Sequence, residues 1–208
     1  MSQSSIESAK ELERKFLALD KLRIKCERFL ASGNISKREV HILYESLFLK
    51  SQVEFEYFLE TLFIGLFINN KSLRSSRKAI SPKIIVDSPK IAREIIHSNK
   101  RYLDWLPYER TTDRSDLYFK AGLPFSELNS TETTLINKSH TIRNVIAHKS
   151  AYSIKKFESY VIGTTPVPTN ERKPGSYLRG IFRTTPTPQT RFELHLALLK
   201  QIAFKLAR

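Results

Sequence analysis

Apolar residues in this chain recur every three or four positions over long stretches, and the stretches open on a side chain that can cap a helix, with Glu three residues later. That pairing of period and start signal suits an all-α protein, because a half-buried strand would need alternation at every second residue. Ser4-Ser-Ile-Glu7 precedes Leu12, Phe16, Leu19 and Cys26, and Gly33 closes the stretch. Ser36-Lys-Arg-Glu39 opens a second stretch, whose Val40, Leu43, Leu47, Phe55, Phe58, Leu62 and Leu66 make a wide apolar stripe as far as Asn69. Glu54, Glu56 and Glu60 fall in its second half and read as solvated helix acids; a sharper reading has Glu56 reaching toward a catalytic group farther along the chain. Asn129-Ser-Thr-Glu132 starts another helix, carrying Leu135, Ile136, Ser139, Ile142 and Ile146. Thr190-Arg-Phe-Glu193 starts the last, with Phe192, Leu196, Leu199, Ile202 and Leu206 as its inner face.

Shorter elements fit between these. Asp87-Ser88-Pro89 predicts a helix with proline at its first position, with Ile91, Ile95, Tyr102 and Leu106 facing inward and Pro107 as the stop. Residues 112–121 read as a short helix ended by Gly122, and Trp105 as a packing residue. Residues 151–161 predict a helix with Ile154, Phe157 and Val161 inside. Five of the nine prolines then fall between 166 and 188, so 163–189 reads as a Pro-rich extended loop or hairpin, with an excursion at Ser176 to Phe182, before the C-terminal helix. At 208 residues the expectation is one helical domain spanning 1–208.

The charge balance narrows the function. A formal net charge of +14 favours a polyanionic partner, since counterions released from neutralised phosphates drive nucleic-acid binding. Cys26 is the only cysteine, which excludes a disulfide framework and fits a reducing cytoplasm. The longest apolar run, Leu62 to Ile68, is too short to span a bilayer, so no membrane partner is expected. His41, His97, His140 and His195 have no zinc-ligand spacing, and no Gly-rich phosphate loop, nucleophile elbow or dinucleotide fingerprint is present; no metal or other cofactor is expected.

The candidate chemistry lies in Ile142-Arg143-Asn144-Val145-Ile146-Ala147-His148, where ionisable groups interrupt an aliphatic helix. There is no acid between Glu132 and Glu158, while Lys138, Arg143, Lys149, Lys155 and Lys156 are all present. The motif therefore sits in a field that attracts anions. Histidine titrates near neutrality and can move a proton; the planar guanidinium of arginine matches phosphate oxygens. Arg143 and His148 fit those roles, and Asn144 fits that of a hydrogen-bonding positioner. The structural alternative is an Arg143 whose stem packs while its head reaches water, and a His148 that closes the helix C-terminus. A second basic stretch, Lys71, Arg74, Arg77, Lys78 and Lys83, suits phosphate contact or a solvated loop.

Arg143-Asn144 followed by His148 resembles the signature of the HEPN superfamily of ribonucleases, in which a polar residue follows the arginine and histidine comes four to six residues after it. Gly122-Leu-Pro-Phe125 and Phe55-Glu56 also resemble HEPN chains, especially those of bacterial toxin and defence systems. HEPN toxins partnered by nucleotidyltransferases carry tyrosine two residues after the histidine; this chain has Ser150 there, and Tyr152 is displaced. The resemblance implies a HEPN-like helical bundle and a metal-independent endoribonuclease. Its catalytic set would be Arg143, Asn144 and His148, with Glu56 in support and Lys138, Lys149, Lys155, Lys156, Arg74, Arg77 and Lys78 binding RNA. It further implies a toxin or antiphage effector, a homodimer, and an antitoxin or regulatory partner. The competing class is a non-catalytic RNA-binding or scaffold domain of the same fold.

Overall fold

The computed structural model describes residues 5–68, 80–98, 100–182 and 187–208. The described residues form an all-α fold: α1 Ser5–Ala31, α2 Lys37–Phe67, α3 Pro89–His97, α4 Glu109–Tyr118, α5 Ser130–His148, α6 Ala151–Lys156, α7 Pro174–Arg179 and α8 Arg191–Ala207. Two two-residue strands, β1 Ile181–Phe182 and β2 Gln189–Thr190, pair antiparallel with Ile181 opposite Thr190. No helix of the described residues is long and apolar enough to cross a membrane.

The start signals act as their chemistry requires. Ser36 N donates to Glu39 Oε2 at 2.7 Å while Glu39 N donates to Ser36 Oγ at 3.3 Å, so two N–H groups that open α2 are satisfied reciprocally. The same box closes at Asn129 and Glu132, at 2.8 and 2.9 Å. It closes again at Thr190 and Glu193, at 2.8 and 3.2 Å. Each such cap contributes about 1 kcal/mol. At the other end of α1, Gly33 takes a left-handed φ of 75°, which lets its N–H reach the Leu30 carbonyl and the Asn34 N–H reach that of Phe29.

The helix that begins at Pro89 ends sooner than the sequence predicts. It stops at His97 because Ser98 turns left-handed, at φ 44°, and sends its N–H back to the Glu94 carbonyl. Its buried positions are Ala92 and Ile96, while Ile91 and Tyr102 are exposed. On a helix of about two and a half turns, Ala92 and Ile96 are an i, i+4 pair on one face, and Ile91 falls off it.

The chain divides into two compact units. The first comprises Met1–Glu13, Phe55–Asn137 and Lys200–Arg208, the second Arg14–Glu54 and Lys138–Leu199. In the first unit Phe63 of α2 is the hub of an aromatic core, with ring centroids 4.9 Å from Phe119, 5.1 Å from Trp105 and 5.3 Å from Phe125. Trp105 is buried there, with the Arg114 guanidinium over its ring, so it packs as predicted. Tyr108 Oη donates to the Phe125 carbonyl at 2.9 Å and fixes the turn that leads toward α5.

In the second unit the rings of Tyr44 and Phe192 meet edge-on at 5.7 Å, and Phe48 meets the His195 ring at 5.6 Å. The Pro-rich segment belongs to this unit. Its excursion is the helix α7, not a hairpin; the hairpin-like pairing joins the residues after it to the start of α8. Leu178 of α7 is fully buried, and Gly175 packs so tightly that an added Cβ would stand 2.5 Å from the His41 carbonyl oxygen. Proline at its start and one buried leucine are enough to set a helical turn in a segment whose composition reads as extended.

Candidate active site

All the motif residues lie in the second unit, on α5. Ile142, Val145 and Ile146 are buried and anchor the helix, Arg143 and Asn144 are half-buried, and His148 is exposed at the last helical position. The sequence places Arg143 and His148 among core residues; the structure keeps only the aliphatic neighbours there and turns the histidine to solvent. At about 100° per residue, positions 142, 145 and 146 cluster on one side while 148 moves off it.

The arginine is held from its own helix. Arg143 Nη1 donates to Asn144 Oδ1 at 3.1 Å. The asparagine amide is thereby oriented, and its Nδ2 donates to His140 Nε2 at 2.9 Å, one turn back. His140 is thus a site residue that inspection for metal-ligand spacing passes over; its signal in the sequence is the i, i+4 spacing to Asn144. Asn144 and His148 share that spacing, so His140, Asn144 and His148 run along one side of α5.

The helix ends abruptly after His148. Lys149 adopts a left-handed φ of 47°, a conformation that side chains other than Gly and Asn rarely take, and its N–H closes on the Val145 carbonyl at 3.2 Å. Ser150 then caps α6, its Oγ accepting from Ser153 N at 3.2 Å. Ser150 is thereby a helix cap, and Tyr152 stands two residues farther on with 74% of its surface exposed.

Below the motif, His195 of α8 lies in the core, its Nδ1 2.9 Å from Ser139 Oγ of α5. Burial, followed by the charges of Lys138 and Arg191, pushes its pKa down to about 4, so the ring is neutral at neutral pH. It serves as a neutral strut between α5 and α8.

Charge at the site is uncompensated. Among the described residues, Lys138, Arg143, Lys149, Lys155 and Lys156 have no carboxylate partner. Elsewhere in the unit several cations are tied down: Lys15 and Lys50 to Glu54, Arg23 to Asp20 and Glu193, Arg179 to Glu27, Arg191 to Glu171. Glu54 is consequently a buried, doubly paired acid, not a solvated one. A cavity of about 720 Å³ is lined by Pro166, Pro168, Phe182 and Tyr44 with Arg23, Arg179 and Arg191, each of these three paired with a carboxylate. Beside the motif, along α5 and α6, the cations have no such partners.

Other predicted groups fall elsewhere. Glu56 is half-buried on α2 and belongs to the first unit, whereas Arg143 and His148 belong to the second. Lys71, Arg74, Arg77 and Lys78 lie outside the described residues. Lys83 is engaged in the fold, its Nζ donating to the Asp116 carbonyl at 2.5 Å. Among the described residues no three His, Cys, Asp or Glu side chains gather in a way that would hold a metal ion. No family model matches the chain, and no match to a curated protein or to a solved structure was found.

Proposed function

We propose that this chain is an endoribonuclease of HEPN type, acting without a metal. The observation that carries the reading is the guanidinium of Arg143, held by Asn144 in a setting free of carboxylates, on the same helix as a solvent-facing His148.

In the reaction the ribose 2′-hydroxyl gives up its proton as its oxygen attacks the adjacent phosphorus. The bond from phosphorus to O5′ breaks, and O5′ takes a proton. In this reading His148 accepts the first proton or supplies the second, the acid–base work for which an imidazole is suited. Arg143 stabilises the charge that builds on the non-bridging oxygens, for which its planar fork is suited. Asn144 keeps the fork aimed. The products are a 2′,3′-cyclic phosphate and a 5′-hydroxyl, with neither oxidant nor cofactor consumed.

The biological setting that accords with this chemistry is a cytoplasmic toxin or antiphage effector, restrained by a partner protein until released. The decisive experiment incubates single-stranded RNA with the protein and maps the new ends. Cyclic-phosphate and 5′-hydroxyl termini that vanish in both His148→Ala and Arg143→Ala are expected, together with growth arrest on induction that His148→Ala relieves. RNA that is bound but never cut would instead favour the non-catalytic scaffold.

A further inference from the structure

α6 runs without a break into a π-helical turn, Phe157–Ile162. Its inner side is settled: Ser153, Phe157, Val161 and Ile162 are buried. Ile154, which the sequence places inside, is 43% exposed, because the wider π turn carries Phe157 and Val161 inward and leaves Ile154 off that face. The outer side carries Tyr152, Lys155, Lys156 and Tyr160, all exposed. Tyr152, Lys156 and Tyr160 are spaced i, i+4, i+8, so aromatic, cation and aromatic follow one another along one stripe.

An exposed ring needs a reason, since a tyrosine left in water forgoes most of the apolar burial its ring can provide. Among the described residues the Tyr152 side chain makes no hydrogen bond and no ring contact, and 74% of its surface is open. Tyr160 is 37% exposed, and Lys138 of α5 stands with Nζ 5.9 Å from its ring centroid. The stripe thus begins just beyond His148 and Lys149 and ends beside Lys138, with cations interleaved throughout and Glu158 as the one acid on the segment.

We propose that this stripe is a stacking path for single-stranded RNA, Tyr152 and Tyr160 each receiving an unpaired base and Lys156 the phosphates between them. The proposal rests on the ribonuclease reading above and names the form of its substrate. At the α-helical rise the eight positions from Tyr152 to Tyr160 span about 12 Å of helix axis, and somewhat less through the wider π turn. Neighbouring bases in a stacked duplex strand are about 3.4 Å apart. The two rings therefore cannot hold adjacent bases of a stacked helix; they suit an extended strand whose bases are splayed apart. Aromatic faces with lysines between them supply both terms of such binding, sequence-tolerant stacking and phosphate neutralisation. A face built only to dock a protein would have no need of uncompensated lysines between its rings.

The test measures affinity for a single-stranded RNA oligomer, for the same oligomer carrying abasic sites, and for its duplex. The protein is His148→Ala, so that nothing is cut. Tyr152→Ala and Tyr160→Ala should each weaken binding to the single strand by about 5- to 150-fold, leave the slope of log affinity on log salt unchanged, and leave duplex binding alone. Tyr152→Phe should bind as the parent does. Lys156→Ala should weaken binding and make the salt slope shallower by about 0.7. A Tyr152→Ala protein that binds the single strand as tightly as its parent, or that loses the abasic and normal oligomers equally, overturns the stacking path while leaving the ribonuclease reading standing. Failure of the parent to bind any RNA overturns both, and would turn the face over to a protein partner.

Discussion

Asn144 joins Arg143 to His140: its Oδ1 accepts from the guanidinium at 3.1 Å and its Nδ2 donates to His140 Nε2 at 2.9 Å, so one amide fixes the direction of the arginine from a point one turn back on α5. The arrangement is local, made within five residues of a single helix. It leaves Nη2 and Nε of the guanidinium available to a ligand.

Asn144→Ala should therefore lower kcat by about 10- to 100-fold with little change in KM, since a loosened fork costs most where charge develops. Thermal stability should fall by no more than about 1 kcal/mol, because the lost hydrogen bonds are partly exposed. Steady-state kinetics beside a melting curve checks both. Equal losses in kcat and in folding would reduce Asn144 to a packing residue.

Cleavage should persist in excess EDTA. Its motivation is that the groups tied to Arg143, the Asn144 amide and through it His140, include no carboxylate to hold a divalent ion. Loss of activity in the chelator with recovery on adding magnesium would refute the mechanism.

Arg143 and His148 are five residues apart and so project about 140° from one another on α5. A single copy presents the pair poorly to one phosphate. A homodimer in which two copies of the motif face each other across a twofold axis would cure this, and we expect sedimentation to show a dimer. Arg143→Ala and His148→Ala proteins, each inactive alone, should regain part of the activity when mixed. A monomer fully active at nanomolar concentration would refute the composite site.

Stability should fall in mild acid because of His195. Burial lowers its pKa in the fold to about 4 from the ordinary histidine value near 6.5. The unfolded chain therefore binds the proton first, and the stability His195 provides, present in full above the unfolded value, is lost as pH drops from about 6.5 toward 4. The loss is on the order of 3 kcal/mol over that window. A His195→Gln protein should show a flatter profile between those limits when urea unfolding is followed against pH. A parallel decline in both proteins would assign the effect to other groups.

The four long helices could be read from the chain because their information is local: a capping side chain bonds its own N3 amide, and an apolar residue finds its partners three and four positions away. The motif was legible for the same reason, being contained in one helix. Tertiary packing decided the rest. It ended α3 at Ser98, where a left-handed turn that no residue type announced was worth taking. It made α7 a helix because Leu178 had a core to enter. It paired Glu54 with Lys15 from another helix, and it set His195 neutral against Ser139, contacts between positions far apart in sequence that no local spacing encodes. Above all it sorted the cations. Composition counts every lysine and arginine alike, but only the packed chain shows which are matched by carboxylates, as Arg23, Arg179 and Arg191 are, and which, like those beside the motif on α5 and α6, are not.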